Sequence, residues 1–493
     1  MLNRRGLLKL GTVAGAASLV PIAASQAALG SKNAIGTGAN PAHLHGALSG
    51  PGTVTGAART VAPFSVQMPV PHTLRPLFRS EHTDFYVLDT KDGQEEILPG
   101  TRTAVTGYGG SYIGPTIRAK SGRRVVIRHR NLTAAPTAVH LHGGHVPANS
   151  DGHPLDVINP GACKTYEYPN RQPGATLWYH DHAHHMESEH VFRGMHAFYL
   201  LEGQDEDRLR LPSGDYDVPI MITDARFADD ASLVYESDDF KFRNTILVNG
   251  RPQPYFKVAA RKYRLRFANA ANMRIFKLTL GSGEELTQIA TDGGLLPAPV
   301  RIGSVDLAPA ERVEVVIDFA KYPVGTQLVL TDALAGPIMR FDVTHGASDH
   351  SRVPSALRPL PPLPAATTTR QFSIGLDLAT FQFVINGKTF DPSRVDLTIK
   401  RGTTEIWEVT NTDTRFGIPH DFHLHLVQFR VLDRDGVPVP AGEAGLKDTV
   451  LIGPGQKVRL QATFTDFIGR YMYHCHMIDH SSTGMMGQME IVP

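Results

Sequence analysis

The stretch GPTIRAKSGRRVVIRHRNLT, residues 114–133, has the pattern of two β-strands joined by a basic turn. A short apolar strand is followed by the turn KSGRR, and a second strand then runs towards Asn131. In that second strand Val125, Ile127 and His129 lie two residues apart, so their side chains share one face. Alternation of this kind predicts a β-strand that turns one face towards a core.

The same arrangement occurs twice more, as YFKVAARKYRLRFANAA in residues 255–271 and as VDLTIKRGTTEIWEVTNTD in residues 395–413. Each copy has an asparagine after its second strand, at Asn131, Asn269 and Asn411. These positions recur about every 140 residues, a period far longer than that of solenoid repeats. The chain therefore contains three copies of a domain-sized unit.

Turn-forming residues punctuate the whole chain, which has 46 glycines, 35 prolines and few long helical patterns. This composition is typical of antiparallel sandwiches or barrels, so we expect an all-β fold. The segment 351–370 is too rich in proline to pair in a sheet and is expected to be a linker. The predicted divisions are a signal peptide at 1–28, a flexible leader at 29–60, a first domain at 61–205, a second at 206–350, the linker at 351–370 and a third domain at 371–493.

The overall charge excludes some classes of partner. The formal net charge is only +1, so the composition favours neither nucleic acid nor an anionic membrane surface as a partner. After the amino-terminal region no segment is apolar over the length needed to span a bilayer, and we expect no stable membrane insertion.

The amino terminus has the pattern of an export signal. Arg4 and Arg5 precede an apolar stretch at about residues 10–24, which is too short to span a bilayer comfortably. The pattern resembles a twin-arginine signal, although Asn3 and Leu7 depart from it, and an ordinary Sec signal is the alternative. We therefore expect export by the twin-arginine machinery to the periplasm or the extracellular space.

No histidine lies between His196 and His345, so the middle domain cannot supply imidazole ligands there. Four His-x-His pairs stand out, two in each outer domain: His140/His142, His180/His182, His423/His425 and His474/His476. On a strand, residues i and i+2 point to the same face about 6.5–7 Å apart, so each pair presents two imidazoles side by side. If the outer domains pack together, eight imidazoles converge, enough for three metal ions with open positions for a small molecule.

A second set of metal-binding side chains lies near the carboxyl terminus. Cys475, His480 and Met485, together with the distant His420, are the ligand types of a blue-copper centre. A structural zinc site is the alternative, but a methionine ligand argues against it. If Cys475 binds metal, then Cys163 has no partner and the chain has no disulfide.

These residues closely resemble the four copper motifs of the multicopper oxidases, in the same order. The motifs here are HLHGG from His140, WYHDHA from Trp178, HDFHLH from His420 and HCHMIDHSSTGM from His474. The segments LAPAERVEVVIDF and TDGGLLPAP are similar to the family's second domain. The resemblance covers about residues 60–493 and is nearest to spore-coat laccases, bilirubin oxidases and phenoxazinone synthases. It implies three consecutive cupredoxin-like Greek-key β-barrel domains.

The resemblance also implies four copper ions and a ligand set for each. The type 1 ligands are His420, Cys475, His480 and Met485. The type 2 ligands are His140 and His423. The type 3 ligands are His142, His180, His182, His425, His474 and His476. A reducing substrate gives single electrons to the type 1 copper, and the other three coppers reduce dioxygen to two waters.

Asp151 matches an acidic residue that resembles a proton donor in this family, so we name it as the candidate catalytic residue; an Asx turn before Gly152 is the alternative. Ser481 stands where the spore-coat laccases have an acidic residue, which puts part of their proton relay in doubt. Asp421 replaces the usual proline and is expected either near the substrate mouth or, as we favour, as the cap of a turn.

The leading hypothesis is a laccase-like oxidase of phenols, aromatic amines or similar donors. A bilirubin oxidase-type activity and a metallo-oxidase of Cu(I) or Fe(II) are alternatives, the second weakened because none of the 12 methionines cluster outside residues 472–489. A copper-free scaffold is the remote alternative, since all twelve expected ligands are present.

Overall fold

The computed structural model describes residues 61–237, 239–281 and 283–493. The predicted signal peptide (1–28) and leader (29–60) lie outside the described residues. The described chain is built mainly from β-strands, with two short α-helices, α1 (Glu187–Arg193) and α2 (Ile478–Ser481). Neither these nor any other helix of the described residues has the length and apolar character needed to cross a membrane. The prediction of an all-β chain is confirmed.

The first domain has two sheets, in the strand orders β1-β2-β5-β7, with β3 beside β2, and β4-β9-β8-β6. Its strands are β1 (Phe78–Arg79), β2 (Thr83–Glu95), β3 (Thr103–Tyr108), β4 (Ile117–Lys120), β5 (Arg124–Asn131), β6 (Val139–His142), β7 (Cys163–Tyr168), β8 (Ala175–Asp181) and β9 (His196–Glu202). The core between the sheets includes Val125, Ile127 and Tyr179.

The second domain repeats this plan with a larger sheet, β12-β11-β10-β14-β19-β16-β17, facing the sheet β13-β21-β20-β15-β18. Its strands are β10 (Asp217–Ala225), β11 (Thr245–Val248), β12 (Arg251–Pro252), β13 (Tyr255–Ala260), β14 (Lys262–Asn269), β15 (Phe276–Leu280), β16 (Leu286–Thr291), β17 (Gly294–Ile302), β18 (Val305–Leu307), β19 (Arg312–Asp318), β20 (Gln327–Asp332) and β21 (Gly336–Gly346).

The third domain has the sheets β23-β22-β25-β31-β27-β28, with β29 beside β27, and β24-β33-β32-β26-β30. Its strands are β22 (Thr368–Asp377), β23 (Gln382–Ile385), β24 (Leu397–Lys400), β25 (Thr403–Asn411), β26 (His420–Leu424), β27 (Phe429–Arg434), β28 (Val437–Pro438), β29 (Leu446–Lys447), β30 (Thr449–Ile452), β31 (Lys457–Phe464), β32 (Gly469–His474) and β33 (Met486–Val492). Because β22 begins at Thr368, the end of the predicted linker pairs in a sheet.

The repeated stretches occupy the same place in each domain. Their second strands β5, β14 and β25 each pair in parallel with one neighbour and antiparallel with another. The sheets are therefore mixed rather than purely antiparallel as expected from the sequence.

The repeated asparagine has the same structural role in all three domains. The Nδ2 atoms of Asn131, Asn269 and Asn411 each donate to two backbone carbonyls at 2.7–3.0 Å, and each Oδ1 accepts the N–H two residues later. The side chain thus ties the end of the strand to the loop that follows, which satisfies buried backbone groups there. This role explains why the residue recurs with the strand pattern.

Candidate metal centres

The four His-x-His pairs lie at the ends of paired strands. In the first domain, His140 of β6 lies opposite His180 of β8, and in the third domain His423 of β26 lies opposite His474 of β32. The pair His140/His142 lies within β6, whereas His182, His425 and His476 lie just beyond the ends of β8, β26 and β32. We call the eight side chains the imidazole cluster; its members are His140, His142, His180, His182, His423, His425, His474 and His476.

The cluster lies between the first and third domains, as the sequence predicts if these domains pack together. Nε2 atoms from the two domains face each other: His182 and His474 at 3.2 Å, and His180 and His476 at 3.3 Å. Three trios of donor nitrogens each lie within 4.8 Å of one another. The trios are His140/His142/His180, His140/His423/His425 and His182/His425/His474.

Burial keeps these imidazoles neutral. Desolvation, reinforced by the neighbouring imidazoles, lowers the pKa of every cluster member, to about 3 for His180 and about 4 for His474. Neutral imidazole is the form that binds a metal ion. Neutral imidazoles that face one another through unprotonated nitrogens have no N–H donor between them. Bound cations would satisfy these nitrogens, and imidazole suits transition metals such as copper.

Backbone and carboxylate acceptors orient the rings from outside. Nδ1 of His140 bonds the carbonyl of Asp151 at 2.6 Å, and Nδ1 of His423 bonds that of Asp448 at 2.8 Å. When Nδ1 carries the proton for such a bond, Nε2 is left unprotonated towards the cluster. His142 is reversed: its Nε2 bonds Asp448 Oδ1 at 2.9 Å, and its buried Nδ1 has no hydrogen-bond partner.

The second predicted set also comes together, and we call it the thiolate site: His420, Cys475, His480 and Met485. Cys475 Sγ lies 3.7 Å from Nδ1 of His420 and 3.6 Å from Nδ1 of His480. Met485 is buried in the same apolar cluster as Cys475, and its carbonyl accepts the Cys475 N–H at 3.2 Å. A thiol, two imidazoles and a thioether are the donor set of a copper site.

The thiolate site is enclosed by the third domain. All four of its residues are buried. Asp413 Oδ2 accepts from His420 Nε2 at 2.6 Å, which leaves Nδ1 of that ring facing the sulfur. Phe383 stacks on His480 with 3.8 Å between ring centroids. Water is thereby kept from the sulfur on both imidazole sides.

Asp151 is aimed at the imidazole cluster. It is fully buried, and its Oδ2 accepts from His425 Nδ1 at 2.7 Å, while Oδ1 has no hydrogen-bond partner and lies 3.7 Å from His140 Nδ1. Burial raises the pKa of this carboxyl well above its ordinary value. Of the two interpretations of Asp151, this contact favours a role at the cluster over a turn.

Of the two positions expected for Asp421, the structure supports the cap of a turn. It is fully buried, so it is not at a substrate mouth, and from β26 its carboxyl caps the bend at His476 and Met477. Its Oδ1 accepts the N–H groups of His476 and Met477 and lies 3.3 Å from Cys475 Sγ. Burial raises its pKa to about 7. Asp421 therefore connects β26 to the segment that both sites share.

The remaining histidines near the motifs have other partners. His145 bonds the carbonyl of Leu426 and the carboxyl of Asp466, at 2.9 and 3.1 Å. His185 bonds the Ser482 carbonyl, and His190 bonds Asp181, each at 2.8 Å. His184 stacks on His185.

Ser481 provides no acid, and its hydroxyl donates to the Ile478 carbonyl at 3.1 Å. Cys163 is exposed and Cys475 buried, and both are free thiols.

From the sequence we missed Asp413 and Asp448, which bond histidines of the sites, and Arg312, which bonds Asp448. Asp413 had a usable signal, because it stands two residues after the repeated Asn411 where the other copies have Thr133 and Ala271. Asp448 and Arg312 had none, since their role depends on contacts between domains.

Comparison with known proteins agrees with this geometry. Three protein-family models, each described as multicopper oxidase, match residues 89–206, 216–344 and 360–493. A laccase of Bacillus subtilis is 35% identical over 88% of this chain and 99% of its own length. A bilirubin oxidase of Albifimbria verrucaria is 35% identical over 86% of this chain and 80% of its own. A crystal structure of a laccase from Pediococcus acidilactici has a TM-score of 0.83 and 32% identity, covering 88% of this chain and 95% of that one.

Proposed function

Because the chain belongs to the multicopper oxidase family, we propose that it is an exported, laccase-like enzyme that couples one-electron oxidation of organic donors to reduction of dioxygen to two waters. Membership makes the protein an oxidoreductase with four copper ions, one of type 1, one of type 2 and two of type 3. Its fold is accordingly three consecutive cupredoxin-like domains, as predicted.

The observation that carries the proposal is the segment shared by the two sites. The Cys475 sulfur faces His420 and His480, whereas its neighbours His474 and His476 face imidazoles of the first domain. His474 ends β32, and Cys475 and His476 follow it directly, with the three side chains directed alternately to the two sites. The segment is a continuous covalent path between a site suited to accept single electrons and a site suited to bind dioxygen.

We assign the residues as the resemblance implies, because each falls in a donor group that suits copper. The thiolate site would hold the type 1 ion. His140 and His423 would hold the type 2 ion. The type 3 pair would be held by His142, His180, His182, His425, His474 and His476. Bound copper supplies the one-electron redox chemistry that these side chains lack.

The protein contributes orientation, exclusion of water and protons. The carbonyls of Asp151 and Asp448 orient His140 and His423 through Nδ1. Burial of both sites limits the release of partly reduced oxygen, because solvent does not reach them directly. Asp151, whose carboxyl stays protonated more readily than usual, would hold a proton at Oδ1 while Oδ2 accepts from His425.

We propose organic donors rather than metal ions as the reductants. Among the described residues, each group of three or more histidine, cysteine or acidic side chains with clustered donor atoms belongs to the two sites or to the Asp448 carboxyl beside them. A metal-ion donor needs its own binding groups, whereas an aromatic donor can be held by apolar contacts. The laccase and bilirubin oxidase relatives agree with this choice.

We further propose export to the periplasm or extracellular space through the twin-arginine machinery. The support is the pair Arg4 and Arg5 ahead of the short apolar stretch. Replacing both arginines with lysine should retain the protein in the cytoplasm, and unaffected export would refute this route.

The test of the activity is oxygen uptake by the copper-loaded protein with five donors: a phenol, an aromatic amine, bilirubin, Cu(I) and Fe(II). We expect the highest kcat/KM with the phenol or the amine. The Cys475→Ser protein under identical conditions corrects for spontaneous oxidation of the donors. A preference for Cu(I) or Fe(II) would make the enzyme a metallo-oxidase, a preference for bilirubin a bilirubin oxidase, and uptake with none would refute the oxidase function.

A further inference from the structure

We propose that Arg312 of the second domain is a positioning residue of the imidazole cluster. It fixes the carboxyl of Asp448, and Asp448 in turn selects the nitrogen of His142 that faces the cluster. The second domain, which has no histidine between His196 and His345, would thus be part of the dioxygen-reducing centre. The inference rests on the proposed function of the cluster as a copper site.

Arg312 is completely buried and uses all five of its N–H donors. Nε donates to the carbonyl of Thr176 at 2.9 Å, in the first domain. Nη1 donates to the carbonyl of Ala310 at 2.9 Å and to Asp448 Oδ1 at 2.7 Å, and Nη2 to the carbonyl of Asp292 and to Asp448 Oδ2. One guanidinium therefore joins all three domains.

Asp448 connects this guanidinium to two members of the cluster. Its Oδ1 lies 2.9 Å from His142 Nε2, and its backbone carbonyl lies 2.8 Å from His423 Nδ1. The two imidazoles come from different domains and stack with 3.7 Å between their centroids. A shift of Asp448 would therefore move ligands on both sides of the interface.

The orientation of His142 shows why the carboxyl matters. Five other cluster rings direct Nδ1 to an outside acceptor and Nε2 inwards; they are His140, His180, His423, His425 and His474. His142 directs Nε2 to Asp448 instead, and its buried Nδ1 is without a partner. With the proton on Nε2, Nδ1 is the nitrogen that can bind a metal ion.

Charge makes Arg312 necessary for this arrangement. A buried carboxylate is costly unless a cation and further hydrogen bonds compensate it. Asp292 and Glu311 add two more carboxylates nearby, and Lys447 pairs with both at 3.0 and 3.1 Å. Lys447 is thus occupied by other partners, while the guanidinium of Arg312 binds both oxygens of Asp448 in a bidentate ion pair. A lysine ammonium cannot form that bidentate pair.

The test compares Arg312→Lys with Arg266→Lys. Arg266 is an equally buried arginine at the same interface between the first and second domains, and it bonds Asp217, Glu314 and the Thr176 hydroxyl. Because Arg266 has no bond to a cluster residue, its substitution controls for loss of packing and of a buried ion pair.

Copper retention against a graded chelator is the main measurement, with the near-ultraviolet absorption of the type 3 pair and the blue absorption of the type 1 site recorded alongside. We expect Arg312→Lys to release cluster copper at about 10- to 100-fold lower chelator concentration, the usual effect of losing a group that orients a ligand. The blue absorption should persist. Arg266→Lys should lower the unfolding temperature but retain its copper.

Asp448→Asn and the double variant Arg312→Lys/Asp448→Asn complete a double-mutant cycle. If the two residues act as one unit, the double variant will retain as much copper as the single variant that retains less. Full retention by Arg312→Lys, equal loss in Arg266→Lys, or additive losses in the double variant would each overturn the inference. None of these measurements needs an oxidisable donor, so failure of the donor panel would refute the proposed activity without deciding this result.

Discussion

The thiolate site and the imidazole cluster both take members from the three consecutive residues 474–476 but are assembled in different ways. The thiolate site takes every member from the third domain, between His420 and Met485. The imidazole cluster takes half its members from each outer domain, and its facing nitrogens meet across the interface. Folding of one domain therefore suffices for the first site, whereas the second also requires the domains to dock. We therefore expect single substitutions to affect one site and leave the other intact.

The largest effect is expected from Cys475→Ser. Serine removes the thiolate and with it the blue absorption, and oxygen uptake should fall to background because the path between the sites has lost its electron-accepting end. Copper analysis should show the cluster still occupied, since His474 and His476 are unchanged. Loss of all copper would mean that the two sites are not separable in this way.

Asp151→Asn should affect only the imidazole cluster. The amide still accepts a hydrogen bond from His425 but cannot give up a proton, so reoxidation of the reduced enzyme by dioxygen should slow by about 100-fold. Stopped-flow recovery of the blue absorption measures this step. Copper content and the rate of reduction by the donor serve as controls and should be unchanged. An unaltered reoxidation rate would remove Asp151 from the proton path.

Asp413→Ala should affect only the thiolate site. It removes the carboxyl that holds His420 Nε2 and accepts the Leu376 N–H, so type 1 copper should bind about 10-fold more weakly. Titration of the blue absorption with a chelator measures the affinity. Asp413→Asn keeps an acceptor and should restore most of it. A parallel loss of cluster copper in Asp413→Ala would show instead a general disturbance of the domain.

The smallest effect on the two sites is expected from Glu187, in α1, which packs against the helix α2 that carries His480. Burial raises its pKa from 4.5 to about 8, opposed by the Ser482 hydroxyl and nearby N–H groups, with Asp181 adding to the rise. The folded state therefore keeps a proton that the unfolded state loses between about pH 4.5 and 8, and this carboxyl costs stability as the pH rises.

Glu187→Gln should remove that cost. Relative to the wild type, the variant's free energy of unfolding should increase by about 1 kcal/mol per pH unit across this window and stay level below it. Denaturant unfolding at several pH values measures the difference, with Glu189→Gln on the same helix, a half-exposed side chain, as the matched control. A difference that does not vary with pH would show that Glu187 is not protonated in the folded protein.

Individual residues show which features of the fold and the sites could be predicted from the sequence. The strand alternation around Val125 and the repeated asparagines predicted the three β-rich units, because both features follow from local geometry. The four His-x-His pairs predicted the imidazole cluster for the same reason. The capping role favoured for Asp421 is supported, but a substitution for proline in a motif does not reveal that the new carboxyl also approaches the Cys475 sulfur.

The sequence by itself determined the fold class, the three repeats and the side chains able to bind copper, because strand periodicity and ligand chemistry are properties of short segments. Only the tertiary structure decided which groups orient those side chains. Asp413, Asp448 and Arg312 act across sheets or domains, and Asp448 meets His142 from a position 306 residues away in the chain. Contacts of that range depend on domain docking and burial, which leave no period or spacing in the sequence.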